Sequence, residues 1–123
     1  MHELALCQSI SRIGLRACGG RPVVRITIDV GALRQVVPAT LVSCWSFVSA
    51  DSLLTGSQLV VNDIPAVIEC QECGQRTRLN QPFMVCGECG SRQVSVISGR
   101  EFSVRSIDVE TQIRSDDGQI PPA

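Results

Sequence analysis

In the first half of the chain, the spacing of apolar residues is typical of a helix in some segments and of a strand in others. Residues 3–18 form an amphipathic helical pattern. Its apolar or small members are Leu6, Cys7, Ile10, Ile13, Gly14 and Ala17. Residues 24–30 alternate apolar and polar side chains, which is typical of a strand with one buried face. Pro38 suits the first turn of a helix, so we expect a second helix at about 38–50. The apolar stripe of that helix comprises Leu41, Cys44, Trp45 and Val48.

Short strand patterns fill the second half of the chain. A strand that begins at Leu59 passes irregularly through residues 62–65 and resumes at 66–68. A short strand is predicted at 94–97. Residues 101–110 predict a final strand, in which the apolar face changes between Val104 and Ile107, a pattern typical of a bulge. The stretch 111–123 is polar and rich in proline at its end, which predicts a disordered tail.

Four of the seven cysteines form two Cys-x-x-Cys pairs, and a glycine follows each pair. The pairs are Cys70 with Cys73 and Cys86 with Cys89. A gap of two residues lets both thiolates of a pair turn toward one point. Two such turns offer the four sulfurs in a tetrahedron that structural zinc prefers, at about 2.3 Å per Zn–S bond. Two disulfides or a redox Cys-x-x-Cys are the alternatives, and neither a secretory signal nor a βαβ pattern favours them.

The order of these elements predicts an α+β fold. We expect a small three-stranded sheet with two helices on one face, plus an inserted zinc-ribbon module. Residues 1–68 and 98–110 are predicted to form the α/β domain, and residues 69–97 the zinc ribbon. The ribbon has almost no apolar core of its own, so metal binding must supply its folding energy, on the order of 10–16 kcal/mol.

Composition and charge narrow the classes of function. Formal net charge is -1, and aromatic residues make up only 3% of the chain. The sequence therefore predicts neither a basic face nor a stacking platform for nucleic acid. No apolar run approaches the roughly 20 residues of a membrane helix. Seven cysteines without an export signal indicate a reducing compartment, hence a cytoplasmic protein. Cys7, Cys18 and Cys44 are predicted to be small buried hydrophobic residues.

Two classes of function can be weighed against these residues. An enzyme is disfavoured because the single histidine allows no Ser/His/Asp set, and four sulfur ligands leave zinc no open position. We therefore predict no catalytic residues. A zinc-ribbon adaptor that binds nucleic acid or protein is the alternative function.

The single histidine, His2, permits a second metal site at the N-terminus. The amine of Met1, the backbone nitrogen of residue 2 and the imidazole can chelate one ion together. The nitrogen or the carboxylate of Glu3 can take the fourth in-plane position. Such nitrogen-rich, square-planar ligation suits Ni(II) or Cu(II). A histidine beside an N-terminus is more often accidental, so the residues alone leave this site open.

Several stretches resemble the HypA/HybF family of hydrogenase nickel-insertion proteins. Residues 1–10, which begin Met1-His2-Glu3-Leu4, are similar to the opening of the family. Asp29–Leu33 resembles the segment that ends its first strand. The doubled Cys-x-x-Cys has the family's place and spacing, and Val104–Glu110 resembles its closing strand. The resemblance covers nearly all of residues 1–110.

This resemblance implies a nickel metallochaperone that helps insert Ni(II) into the large subunit of [NiFe]-hydrogenase. Its implied partners are the GTPase HypB, that large subunit and, in some organisms, urease maturation proteins. It implies nickel ligation by Met1, His2 and Glu3. It implies that Zn²⁺, held by the four ribbon cysteines, is structural and that Ni²⁺ is a transient cargo. We expect no nucleic-acid or membrane partner, and a monomer or weak homodimer.

Two segments depart from the family pattern. Some members carry a carboxylate a few residues after the strand-ending glycine, where it is implicated in the nickel sphere. Here residues 34–38 read Arg-Gln-Val-Val-Pro, without an acid. The segment Ser46–Leu59 is also shorter than in many members.

Overall fold

The computed structural model describes residues 3–111, which form two α-helices, six β-strands and a short 3-10 helix. The helices are α1 (Glu3–Ala17) and α2 (Pro38–Val48), and the 3-10 helix is Ala32–Arg34. The strands are β1 (Val23–Gly31), β2 (Gln58–Ile64), β3 (Val67–Cys70), β4 (Arg76–Arg78), β5 (Val94–Ser98) and β6 (Phe102–Val109). The predicted disordered tail lies outside the described residues from position 112 onward.

Both predicted helices are present, and local chemistry explains where α2 stops. Pro38 occupies its first turn, as predicted. The helix ends at Val48 and not at about residue 50. The carbonyl oxygen of Ser49 instead accepts hydrogen bonds from the Ser52 hydroxyl at 2.9 Å and the Thr55 hydroxyl at 3.2 Å. The two hydroxyl groups thus occupy the carbonyl oxygen that would accept a backbone N–H if the helix continued for another turn.

The strands form two three-stranded sheets. One has the order β2-β1-β6, and the other has the order β4-β3-β5. Helices and the first sheet confirm the predicted α+β class. In β6, the half-buried positions change from Phe102 and Val104 to Ile107 and Val109, the face change that the sequence predicts.

The prediction of one irregular strand from Leu59 to residue 68 is wrong. The chain forms two strands there, β2 and β3, which belong to different sheets. Pro65 lies between them and has no N–H to donate to a ladder, so the strand cannot continue through it. The second sheet was not predicted, because β4 reads Arg-Thr-Arg and carries no apolar pattern. Its pairing with β3, antiparallel with Ile68 opposite Thr77, defines it as a strand.

The chain divides into two compact units. Within the described part of the chain, the helix unit contains residues 3–28, 37–60 and 104–111. The ribbon unit contains Asp29–Val36 and Val61–Ser103. The domain boundaries predicted from the sequence, 68/69 and 97/98, stay a prediction.

The core of the helix unit lies where α1, α2 and β1 bring their apolar faces together. Its largest fully buried side chains are Trp45, Ile10, Ile26, Ile28, Leu41 and Leu54. Gly14 of α1 faces the methyl ends of Ile26 and Leu54, which leaves no room for a larger side chain without adjustment. Cys7 and Cys18 are buried as predicted, whereas Cys44 is only half-buried.

Candidate metal centre

The two cysteine turns of the ribbon unit have the same backbone structure. In each turn, the N–H of the first cysteine donates to the carbonyl oxygen of the residue five positions later. The N–H of the glycine donates to the carbonyl oxygen of the first cysteine. The bonds are Cys70 N–H to Gln75 O at 2.9 Å, Gly74 N–H to Cys70 O at 3.1 Å, Cys86 N–H to Ser91 O at 2.9 Å and Gly90 N–H to Cys86 O at 3.0 Å. Gly74 and Gly90 have φ values of 78° and 74°, which glycine adopts without the strain of a Cβ atom.

The four sulfur atoms lie close enough together to share one ion. All four lie within 4.8 Å of one another. The Sγ atoms of Cys70 and Cys89 are 3.6 Å apart, as are those of Cys73 and Cys86. A tetrahedron with Zn–S bonds of about 2.3 Å has edges of about 3.8 Å. The spacing therefore fits a tetrahedral four-thiolate metal centre, in agreement with the spacing in the sequence.

Backbone N–H groups favour the thiolate form of the first cysteine in each turn. The N–H of Cys73 points at the Sγ atom of Cys70 at 3.4 Å and is the largest cause of the lowered pKa of Cys70. The N–H of Cys89 lies 3.5 Å from the Sγ atom of Cys86 and, with a second N–H donor, lowers the pKa of Cys86 to about 6. Thiolates are the forms that bind metal, so these turns are prepared for ligation.

The second cysteine of each turn behaves in the opposite way. The Gln75 N–H lowers the pKa of Cys73, but local desolvation and the adjacent thiols of Cys86 and Cys70 outweigh it and raise that pKa to about 12. The pKa of Cys89 is also raised. Four thiols in contact cannot all lose their protons without a compensating positive charge, and a divalent cation supplies that charge.

Strand β4 holds the second turn in place through one side chain. Thr77 Oγ1 accepts a hydrogen bond from the Gly87 N–H at 3.0 Å. A Cβ atom at Gly87 would come within 3.1 Å of the Thr77 methyl group. Gly87 is thus the small residue that lets the turn approach β4. Sequence reasoning missed Thr77, since a single threonine between two arginines gives no signal.

At the N-terminus, the structure describes one of the three predicted nickel ligands. Met1 and His2 lie outside the described residues. Glu3 opens α1 and is only 7% exposed. Its Oε2 atom accepts a hydrogen bond from the Val37 N–H at 3.2 Å. Val37 is the N-cap residue of α2, and its side chain makes no capping hydrogen bond. The bond to Glu3 connects the first turn of α1 to the start of α2.

Cys7 lies one turn after Glu3 on α1 and contacts α2. Its thiol donates a hydrogen bond to the Leu41 carbonyl oxygen at 3.3 Å. Burial, followed by the nearby Cys44 and Glu3, raises the pKa of Cys7 to about 11. This thiol is neutral and inaccessible at ordinary pH, in keeping with a packing role.

Fold and site together define a class. The chain is a small α+β metal-binding protein in which a helix-and-sheet unit is combined with a four-cysteine ribbon. Neither α1 nor α2 combines the length and the apolar character that a helix needs to cross a membrane.

Comparison with known proteins identifies the family. Residues 1–109 match the profile of HypA, described as a hydrogenase/urease nickel incorporation metallochaperone. The Geobacter metallireducens hydrogenase maturation factor HypA is 36% identical over 110 residues, which cover 89% of this chain and 100% of that protein. The Acidithiobacillus ferrooxidans hydrogenase maturation factor HypA is 37% identical over 113 residues, with the same coverage. The chain belongs to the HypA family.

Solved structures show the same fold. The solution structure of the Ni metallochaperone HypA from Helicobacter pylori superposes with a TM-score of 0.64 at 20% identity. The match covers 91% of this chain and 100% of that one. A second HypA solution structure gives a TM-score of 0.66 at 20% identity. At this identity the likeness concerns the fold.

Proposed function

We propose that this protein carries Ni(II) as a temporary cargo and helps insert it into the large subunit of [NiFe]-hydrogenase. The observation that carries the proposal is the HypA family match, which begins at residue 1 and so includes the N-terminal His-Glu pair. The proposed partners are the GTPase HypB, that large subunit and, where present, urease maturation proteins. The proposed location is the cytoplasm, and the role is that of a carrier without catalytic residues.

The metal proposed for the ribbon is structural Zn²⁺, held by Cys70, Cys73, Cys86 and Cys89. Two observations support zinc: the sulfur spacing of 3.6 Å and an all-thiolate donor set. When bound, zinc supplies folding energy to a module with few buried apolar residues. Four protein ligands close its coordination sphere, so no position is left for a substrate.

Nickel is proposed to bind at the N-terminus through the Met1 amine, the backbone nitrogen and imidazole of His2, and Glu3. For Glu3, we favour the backbone nitrogen as the ligand atom, because the carboxylate already accepts the Val37 N–H. Removing that carboxylate from Val37 would leave the start of α2 without this acceptor. A site built from a chain terminus can be dismantled by an acceptor protein while the rest of the fold stays intact.

This ligand set makes nickel affinity depend on pH. The amine, the backbone nitrogens and the imidazole must all be deprotonated to bind. A terminal amine titrates near pH 7.7–8.0 and an imidazole near 6.5. Affinity should therefore fall as the pH drops below about 8.

The test is a nickel titration of three zinc-loaded, tag-free proteins by calorimetry. The natural chain should bind Ni(II), whereas a chain with the four residues Gly-Ser-Gly-Ser added before Met1 should bind much more weakly, because the Met1 amine has become a peptide bond and the new terminal amine is too far from His2 to complete the same chelate. His2→Ala should lose tight nickel binding and keep its zinc. Equal affinity in the natural and extended chains would exclude the terminal amine as a ligand.

A matched variant separates the two possible roles of Glu3. Glu3→Gln keeps the backbone nitrogen and a side-chain acceptor for Val37, but it removes the negative charge. Nickel affinity within about threefold of the natural protein supports ligation by the backbone nitrogen. A loss comparable to that of His2→Ala would show that the carboxylate is the ligand atom.

A further inference from the structure

The ribbon unit has a recess whose charged lining residues are all arginines. The recess has a volume of about 470 Å³ and is lined by Leu33, Arg34, Gln35, Pro82, Met84 and Arg100. A second recess of about 590 Å³ shares Pro82 and Met84 with the first and adds Arg92. The two recesses adjoin at these shared residues, and together we call them the arginine recess. Among residues 3–111, three arginines and no acidic residue line it.

Arg34 is held in a fixed position at this surface. Its Nε atom donates a hydrogen bond to the Arg100 carbonyl oxygen at 2.8 Å. Its guanidinium carbon lies 6.0 Å from the centre of the Phe102 ring. These contacts occupy one N–H group and one face of the guanidinium. The two terminal amino groups make no hydrogen bond to any residue between 3 and 111, and their fork geometry matches a carboxylate.

The arginines of the recess have no acidic partner within the described chain. Among residues 3–111, the ion pairs of the ribbon unit within 4.0 Å include Arg76 with Glu69 but none with Arg34, Arg92 or Arg100. The carboxylate nearest in sequence, Glu101, accepts the Gly99 N–H at 2.7 Å. The positive charge of the recess is therefore available to a ligand from outside.

Apolar side chains separate the charges of the recess. Phe83 is 66% exposed and Val85 is 37% exposed, and Met84 and Pro82 line both volumes. The recess is open and shallow, so it suits an extended chain better than a small molecule, which needs enclosure. Its apolar lining is mostly aliphatic with one aromatic ring, whereas single-stranded nucleic acid needs several stacking platforms.

From this arrangement we infer that the arginine recess binds an acidic peptide segment of a partner protein, in which carboxylates alternate with apolar side chains. Carboxylates of the segment pair with Arg34 and Arg100, and an apolar side chain between them contacts Met84. The inference concerns protein recognition and does not depend on nickel binding.

The test uses the full zinc-loaded chain without nickel. The probe is a fluorescein-labelled, end-blocked octapeptide of alternating Glu and Leu, followed by fluorescence anisotropy. The natural protein should bind this probe and ignore a version with Lys in place of Glu. Arg34→Gln and Arg100→Gln should each weaken binding about tenfold, the effect of losing one charge-assisted hydrogen-bonded pair. Met84→Ser should weaken binding several-fold.

The matched control is Arg76→Gln, which removes the same charge from the same unit at a residue paired with Glu69. It should change the affinity by less than twofold. Arg100→Gln keeps the inference testable if the Arg34 variant misfolds. The Arg100 side chain is exposed, and its carbonyl group, which accepts the Arg34 hydrogen bond, is retained.

Three results would overturn the inference. The first is no binding of the Glu-Leu peptide at concentrations up to about 1 mM. The second is an equal loss in Arg76→Gln, which would mean unspecific attraction to positive charge. The third is tighter, Arg34-dependent binding of an oligothymidylate, which would assign the surface to nucleic acid.

Discussion

Gly31 and Gly99 lie so close that a Cβ atom at Gly31 would overlap the carbonyl group of Gly99. Gly31 has φ -76°, an ordinary extended value that any residue adopts. Glycine is therefore required there by space and not by conformation. The Leu33 N–H donates to the Gly99 carbonyl oxygen at 2.8 Å, and the Gly31 N–H donates to the Glu101 carbonyl oxygen at 2.7 Å. These hydrogen bonds hold the two main-chain segments in direct contact.

Gly31→Ala should destabilise the zinc-loaded protein by about 3 kcal/mol or more, since the added methyl group meets main chain that cannot move aside. Thermal unfolding followed by circular dichroism measures the change. The control is Gly14→Ala, where the new methyl group meets only the ends of the Ile26 and Leu54 side chains at 3.0 and 3.2 Å. The gain in helix propensity offsets part of that crowding, so the control should stay within about 1 kcal/mol. Equal losses in both variants would contradict the close contact.

Glu3→Ala should destabilise the fold by about 1.5–3 kcal/mol, because it removes a carboxylate that accepts the N–H of the α2 cap residue. Glu3→Gln keeps an acceptor oxygen and should recover at least half of that loss. Chemical denaturation followed by Trp45 fluorescence reports on this unit, because Trp45 is buried and bonds Ser57 at 2.9 Å. An unchanged midpoint in Glu3→Ala would show that the contact with Val37 contributes nothing.

Cys7 and Cys44 should differ strongly in reactivity. Cys7 is fully buried, and its pKa is raised to about 11. At pH 8 about one Cys7 thiol in a thousand is ionised, even before inaccessibility is considered. Iodoacetamide should therefore label the half-buried Cys44 and leave Cys7 unmodified until the chain unfolds. Mass spectrometry of proteolytic peptides measures the labelling of each cysteine, with a urea-treated sample as control. Labelling of Cys7 before Cys44 in the folded protein would contradict the helix packing described above.

The raised pKa of Cys7 also predicts a loss of stability at alkaline pH. As the pH rises through about 9, the unfolded chain loses the Cys7 proton while the folded protein keeps it up to about 11. Stability contributed by the neutral buried thiol is complete below pH 9 and lost by about pH 11. The difference in free energy of unfolding between the natural protein and Cys7→Ala should shrink by about 2 kcal/mol over that range. If the difference in free energy of unfolding between the two proteins stays constant from pH 8 to 11, the predicted alkaline loss of stability is wrong.

Removing metal from the ribbon should unfold the cysteine turns. We expect a strong chelator at pH 7 to abolish the distinct NMR signal of the Gly87 amide, which bonds Thr77 at 3.0 Å in the folded turn. Re-addition of Zn²⁺ should restore that signal. Trp45 fluorescence is the control, because this side chain lies in the helix unit. Retention of the Gly87 signal in metal-free protein would mean that the turns fold without an ion.

Local patterns predicted much of the secondary structure and missed features that depend on pairing. The helical period identified α1 and α2, and the cysteine spacing identified the four-sulfur cluster. Strand β4 escaped because its three residues are polar, and its structure depends on hydrogen bonds to β3. The break between β2 and β3 was visible at Pro65, but only the sheet order shows that the chain changes sheets there.

The sequence by itself determined the two helices and the paired cysteines, because each pattern depends on residues a few positions apart, and it determined the family through motifs spread over residues 1–110. Tertiary structure alone decided that Glu3 holds the start of α2, that Gly31 must be a glycine, and that Arg34 and Arg100 line one recess. Each of these relationships joins residues 34 or more positions apart. Periodicity and spacing describe only neighbours along the chain, so contacts of this kind arise when burial and main-chain hydrogen bonding bring distant segments together.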